Sequence, residues 1–208
     1  MSNESDDDKP RVSRRGFFFR AGVTAAVTTA GAACKPAEGP NGSGEVLGPG
    51  KVSLLLRVNR AEQRLEVEPR TTLAEALRTT LGMTGTKVVC DRGACSACTV
   101  WLDGVPVNAC MTFALDAAGK QVTTIEGLAK GDDLHPVQQA FIDHDAMQCG
   151  FCTPGMVMSC AALLARNASP QEADVRTATS GNLCRCGTYP KVFEATLAAA
   201  SVVRNKGG

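Results

Sequence analysis

Eight of the ten cysteines in this 208-residue chain fall into two tetrads of different spacing, and that placement constrains the fold more than any other feature. The first tetrad, Cys90, Cys95, Cys98 and Cys110, is spaced C-x4-C-x2-C-x11-C. The second, Cys149, Cys152, Cys184 and Cys186, is spaced C-x2-C-x31-C-x-C. Disulfide, zinc and iron–sulfur chemistry each predict a different spacing. The Cys184-x-Cys186 pair and three sulfurs crowded into one loop argue against a disulfide scaffold. Structural zinc pairs usually come as two short knuckles, whereas the first tetrad has three clustered sulfurs and one remote one. The second tetrad, taken by its spacing alone, stays open to zinc.

Cys90, Cys95 and Cys98 match the C-x4-C-x2-C run of plant-type ferredoxins. A loop of mostly small residues, Asp91 to Ala97, can curl round a cluster with its backbone N–H groups aimed at the sulfides. Cys110, arriving just after Asp103-Gly104, closes the cage. Soft thiolates suit iron here, and hydrogen bonds to sulfur help set its potential. In the second tetrad, Cys149 and Cys152 precede a helix opening at Pro154, and Cys184 and Cys186 precede one opening at Tyr189. Two helix N-termini therefore converge on one site, which favours the negative charge of a thiolate cluster.

The residues between the cysteines predict a sheet followed by helices. Val52 to Val58 and Arg64 to Val67 favour strands joined across Asn59-Arg60, with Pro69 closing the second. Thr71 or Thr72 caps a helix through about Thr80, with Leu73, Ala76 and Leu77 on one face and Gly82 at its end. Thr99 to Leu102 and Val105 to Val107 flank Asp103-Gly104, which suits a tight type I′ turn, and a strand at Gln121 to Ile125 completes a small mixed sheet. Helices follow at His135 to Ala146, Pro154 to Arg166, Pro170 to Thr179 and Tyr189 to Val203, with Pro154 and Pro170 at helix starts. The expected division is 1–33 signal segment, 34–50 Gly/Pro-rich linker, 51–127 sheet-rich domain and 128–208 helical domain. Each half is small for a self-sufficient core, so bound metal contributes to folding.

Gln148-Cys149-Gly150-Phe151-Cys152-Thr153-Pro154-Gly155 and Gly181-Asn182-Leu183-Cys184-Arg185-Cys186-Gly187, following the first tetrad in that order, make the resemblance specific. Over about residues 52 to 203 the chain resembles the iron–sulfur subunit of molybdenum hydroxylases, the xanthine oxidase and aldehyde oxidoreductase family. The resemblance implies an α+β chain, in which a β-grasp, plant-type 2Fe-2S ferredoxin-like domain is followed by an all-α four-helix-bundle 2Fe-2S domain. It implies a non-catalytic relay subunit of an oxidoreductase. Electrons would pass from a molybdopterin centre on a large partner subunit, which oxidises aldehydes or N-heterocycles, to an FAD-binding subunit or a haem-bearing c-type cytochrome. The resemblance also implies that the cluster on Cys149, Cys152, Cys184 and Cys186 lies nearest the pterin, with Gln148 and Cys186 as pterin contacts. The cluster on Cys90, Cys95, Cys98 and Cys110 would pass electrons outward. Three positions depart from the family pattern: Val89 and Ser96 stand where glycines are usual, and Arg60 replaces the glycine of an Asn-Gly turn. Glycine adopts positive φ at little cost, and other residues do not.

Cys160 falls among Met156, Val157, Ala161 and Leu164 and reads as a buried, inert thiol. His135 and His144 have no ligand partner at useful spacing and read as solvated surface. Arg185, between two ligands, carries no assigned role.

The first 33 residues read as an address. An acidic stretch to Asp8, then Ser13-Arg14-Arg15-Gly16-Phe17-Phe18-Phe19-Arg20, then a small-residue run from Ala21 to Ala33 resemble a twin-arginine signal and place the chain in the periplasm. That run falls short of the ~18 strongly apolar residues a membrane span needs. Ala30-Gly31-Ala32 offers a cleavage site, while Gly31-Ala32-Ala33-Cys34 loosely resembles a lipoprotein box. Acylation of Cys34 would make Lys35 to Gly50 a flexible tether from a lipid anchor. Residues 1–33 hold five of the 22 Lys and Arg and four of the 21 Asp and Glu, leaving 17 of each, so partner choice rests on local surface. A net charge of +1 with no basic stripe leaves no footprint for nucleic acid. Two rival readings are a free-standing periplasmic redox carrier and a zinc-stabilised binding module.

Overall fold

The structure, a computed structural model, describes residues 47–206. The expected signal segment, its twin arginines and Cys34 lie outside the described residues. Strand β1 (Val52–Val58) buries Leu54, Leu56 and Val58 in strict alternation, and β2 (Ala61–Val67) buries Leu65 and Val67. That period of two puts all five side chains on one face. The strands pair antiparallel from Val52 with Val67 to Val58 with Ala61. Asn59 and Arg60 form the turn with φ of 51° and 71°, so Arg60 takes up the left-handed conformation that glycine would adopt freely. Strands β3 (Thr99–Leu102) and β4 (Val105–Asn108) form a second hairpin across Asp103 and Gly104, at φ of 49° and 81°. Strand β5 (Gln121–Thr123) lies between the hairpins, parallel to β1 and antiparallel to β3, and the sheet order is β2-β1-β5-β3-β4. The strand expected to reach Ile125 stops at Thr123. Its next backbone N–H, on Thr124, is taken by Asn59 Oδ1 at 2.9 Å, and a 3-10 turn follows at Ile125–Gly127.

The helix expected after Thr72 begins as predicted, with Thr72 Oγ1 accepting from Glu75 N at 3.2 Å. Only Leu73–Glu75 (α1) is α-helical, and Ala76–Thr80 widens into a π turn closed by Leu81 N donating to Ala76 O at 3.0 Å. Leu73, Ala74, Ala76 and Leu77 are fully buried against the sheet residues. Arg78 then donates to the carbonyls of Thr84 and Thr86 at 2.9 and 2.8 Å, which ties down the chain as it runs toward Cys90.

Four helices complete the α+β arrangement: α2 (Pro136–Asp143), α3 (Thr153–Arg166), α4 (Glu172–Ala178) and α5 (Tyr189–Lys206). Pro170 does not open α4 as expected. Gln171 is the cap, and its N–H donates to Asp174 Oδ2 at 2.8 Å in a capping-box pattern. His135 is likewise a helix cap rather than solvated surface, with Nδ1 accepting from Val137 N at 3.2 Å and its own N–H donating to Gln138 Oε1 at 3.0 Å. His144 is half-buried at the other end of α2. Among the described residues no helix is long and apolar enough to cross a membrane.

Two hydrophobic clusters result, one of sheet and α1 residues, the other of residues from α2 to α5. Trp101 joins them: it packs on the helical cluster while its indole N–H donates to the Met158 carbonyl at 3.0 Å. Arg60 is exposed and its left-handed backbone costs on the order of 1 kcal/mol, so Arg60→Gly should stabilise the fold by roughly that amount. Thermal unfolding of the two proteins side by side measures it, with unchanged iron content as the control.

Candidate metal centres

The first cysteine set is held by an irregular loop whose backbone folds inward. Asp91, Gly93 and Ser96 have φ of 52°, 71° and 50°, and such left-handed residues turn successive N–H groups toward one point. Gly93 N donates to Cys110 Sγ at 3.4 Å. Backbone donors, that of Arg92 foremost, and the Cys95 thiol bring the Cys90 thiol down to about 7. Ser96 therefore takes up a backbone region that glycine adopts freely, while Val89 does not. Cys110 comes from the 3-10 turn Ala109–Met111 that ends β4, and it is buried with Cys95 and Cys98; Cys90 is half-buried. Burial, reinforced by the Cys110 and Cys95 sulfurs, pushes the Cys98 thiol up to about 12.

The second set is built on helix starts. Cys152 is the N-cap of α3, Cys149 is exposed three residues earlier, and Cys184 and Cys186 lead into α5. Burial first, then Cys184 and Cys149, push the Cys152 thiol up to about 12. At Cys184 burial acts upward too, but hydrogen bonds from Thr188 and its neighbours outweigh it and bring the thiol to about 7; Thr188 Oγ1 stands 3.2 Å from the sulfur. At Cys186 a backbone hydrogen bond with Cys149 acts downward, and the Cys149 thiol with the charges of Cys149 and Cys184 raises the thiol overall. The Tyr189 hydroxyl accepts from Cys184 N at 2.8 Å and donates to Asn182 O at 3.2 Å, folding the cysteine loop back onto the head of α5. Gln148 and Cys186 are both exposed.

The two sets face one cavity of about 560 Å³, walled in part by Cys90, Cys95, Cys149, Cys152, Cys184 and Arg185. Their loops touch through hydrogen bonds to backbone carbonyls. Leu183 N donates to Cys95 O at 3.1 Å, and Asn182 Nδ2 donates to Ser96 O at 3.0 Å. A Cβ on Gly155, in the first turn of α3, would lie 2.3 Å from Ser96 O and 3.0 Å from Ala97 Cα. Sequence reasoning assigned no role to Gly155, Asn182, Thr188 or Tyr189. Only Gly155 carried a local signal, because glycine disfavours a helix interior unless close approach demands it. Cys160 belongs to neither set: it is fully buried in α3 and pushed up to about 12 by burial, as a core thiol should be.

The donor chemistry can be tested against a two-iron cluster. Within each set the thiols bear on one another's ionisation: Cys95 on Cys90, Cys110 and Cys95 on Cys98, Cys184 and Cys149 on Cys152, and Cys149 and Cys184 on Cys186. Among the described residues no three His, Cys, Asp or Glu side chains are gathered to hold a single metal ion. A cluster that shares four thiolates between two irons would fit donors grouped in this way. Cys98 and Cys152 resist ionisation as free thiols, and a cation between the sulfurs is what offsets the crowding of thiolate charge. Thr153 Oγ1, next to Cys152, is buried without a protein partner, which suits a hydroxyl that donates to cluster sulfur.

Comparison with known proteins agrees. Residues 56–123 match the family described as 2Fe-2S iron-sulfur cluster binding domain, and residues 124–197 the family described as 2Fe-2S binding domain. The chain is 44% identical over 167 residues to the aldehyde oxidoreductase iron-sulfur-binding subunit PaoA of Escherichia coli O157:H7, covering 73% of each protein. It is 43% identical to the nicotine 6-hydroxylase small subunit of Paenarthrobacter nicotinovorans, over 76% of this chain and 95% of that one. The solved quinoline 2-oxidoreductase of Pseudomonas putida 86 superimposes with a TM-score of 0.72 at 41% identity, covering 74% of this chain and 97% of the matched chain. Two sets of cysteines on a sheet-plus-helix frame and these matches define an iron–sulfur electron carrier. The chain belongs to the iron–sulfur subunits of the molybdenum hydroxylase family, and it is an electron-relay subunit of an oxidoreductase.

The close approach at Gly155 leaves no room for a methyl group. Gly155→Ala should lower stability by about 1–3 kcal/mol, the usual range for overpacking, despite alanine's better helix propensity. A fall in the thermal midpoint of the purified full-length protein measures it.

Proposed function

We propose that this chain relays electrons, one at a time, from a molybdopterin centre on a large partner subunit to an acceptor on another, a flavoprotein or a c-type cytochrome. The substrate class oxidised at the partner is aldehydes or N-heterocycles, in line with the printed names of the aldehyde, nicotine and quinoline enzymes it resembles. Two 2Fe-2S clusters, when bound, supply the one-electron chemistry. Cys90, Cys95, Cys98 and Cys110 hold one within a ferredoxin-like β-grasp domain over 51–127. Cys149, Cys152, Cys184 and Cys186 hold the other within a four-helix-bundle domain over 128–208.

One observation carries the reading: cysteines of both sets line the same cavity, so two redox sites are neighbours inside one fold. The chain's own groups tune them. Inward N–H groups of the 91–97 loop and the Thr188 hydroxyl stabilise thiolate charge, and burial shields Cys95, Cys98 and Cys110 from water while Cys149 and Cys186 stay exposed. Exposed Gln148 and Cys186 are the residues that meet the pterin of the partner. The signal at Arg14 and Arg15 directs the folded chain to the periplasm, with Cys34 as an anchoring point if it is acylated.

The matured protein should contain about four irons and about four sulfides per chain and show two paramagnetic signals on reduction. Zinc in place of iron and sulfide would refute the reading. Alanine at any of the eight cysteines should lower iron content, whereas Cys160→Ala should leave it unchanged. A large molybdenum-containing subunit should copurify from the native host; its absence would favour a free-standing carrier. Replacing Arg14 and Arg15 together by lysine should leave the chain in the cytoplasm, which fractionation followed by blotting detects.

A further inference from the structure

The seam between the two cysteine sets contains a buried polar side chain that the relay reading leaves without a role. Asn182 is 3% exposed and lies two residues before Cys184. Its side-chain amide donates from Nδ2 to Ser96 O at 3.0 Å, the carbonyl directly after Cys95, and its Oδ1 accepts from the buried Ser159 hydroxyl at 2.9 Å. The next residue, Leu183, donates its N–H to Cys95 O at 3.1 Å. Two consecutive residues before Cys184 thus grip two consecutive carbonyls of the 91–97 loop. Through Leu183 the bonded path from the Cys184 sulfur to the Cys95 sulfur crosses a single hydrogen bond.

We propose that Asn182 is a positioning residue for electron transfer between the two sites: its amide, braced by Ser159, clamps Ser96 and so holds the Cys95–Leu183 hydrogen bond that links the two ligand sets. The inference rests on the two-cluster reading. One electron leaves one site, which is oxidised, and enters the other, which is reduced; no bond to a substrate forms or breaks, and no proton moves. Tunnelling falls off exponentially with distance and is weaker across a gap than along bonds, so a small opening of this seam slows transfer without altering either ligand set. A burial of this kind is also expensive unless every polar atom of the amide is paired, and here both ends are.

Asn182→Asp keeps the shape and the Ser159 bond but faces Ser96 O with a carboxylate oxygen. Ser159→Ala only loosens the brace. The full-length chain, purified as it matures in its native host, is first analysed for iron and sulfide. A wild type lacking two clusters overturns the relay reading itself, before Asn182 is tested. In Asn182→Asp with full iron content, each signal should keep its own g-values while the magnetic splitting between the two reduced clusters narrows and transfer between them, followed after flash reduction, slows. Unchanged splitting and rate would overturn the proposal. If Asn182→Asp fails to load iron, Ser159→Ala decides: a narrower splitting and slower transfer support the clamp, and wild-type behaviour rejects it.

Discussion

Four thiolates crowded into one site repel each other, and the rest of this fold is arranged around that cost. Burial sharpens it, since Cys98 and Cys152 are driven upward chiefly by desolvation and then by neighbouring sulfur. The protein answers with neutral donors: inward N–H groups from a loop with repeated left-handed residues, helix starts at Thr153 and Tyr189, and the Thr188 hydroxyl. None of these carries a full charge, although Arg92 and Arg185 line the same cavity, and a bound cation would add to the compensation. Folding and metal loading are therefore coupled, which suits two halves that each have a modest hydrophobic cluster.

The halves meet through hydrogen bonds to backbone carbonyls as well as through apolar side chains. Gly155 brings the first turn of α3 against Ser96 and Ala97, and the Cys95 and Ser96 carbonyls are taken by Leu183 and Asn182. Apolar contacts tolerate sliding by a fraction of an ångström, because dispersion is non-directional. Hydrogen bonds to named carbonyls do not. A seam of that kind fixes the separation of two redox sites more tightly than a greasy interface of the same area. Trp101 extends the same logic to the far side of the sheet, where an apolar ring packs on the helices and its N–H fixes the register on Met158.

Both hairpins, the Thr72 cap and the four later helices were legible because each rests on a local signal: alternation, a turn dipeptide, a capping residue; the cysteine spacing announced two sets, and members of both line one cavity. Several boundaries slipped: β2 begins at Ala61, α2 ends at Asp143, and the end of β5 and the start of α4 moved where another group took a backbone donor or the cap. Thr124 was drawn off by Asn59, 65 residues away, and α4 waited for Gln171. His135 was misread because its capping partners lie on the next turn, and a lone histidine has no local signature for that role. The Asn182 contact was out of reach for the same reason in stronger form. Its partner on Ser96 is 86 residues away, and nothing in either segment announces the other. The widening of Ala76–Thr80 into a π turn is likewise invisible in helix propensities, which do not distinguish the two spacings.

The two sites also differ in how they can be adjusted. At the first, the donors to sulfur are backbone N–H groups, so a substitution changes them only by deforming a loop that Arg78, Asn108 and Ser96 already hold in place. At the second, a side-chain hydroxyl on Thr188 approaches the Cys184 sulfur, and it can be altered while Tyr189 keeps the Cys184 backbone where it is. Hydrogen bonds to sulfur raise the potential of a thiolate-bound metal by drawing off charge. The second site can therefore be retuned by exchanging one residue, whereas the first is set by the shape of its loop. Neighbouring redox centres with separate means of adjustment can change their relative potential without any change in the distance between them.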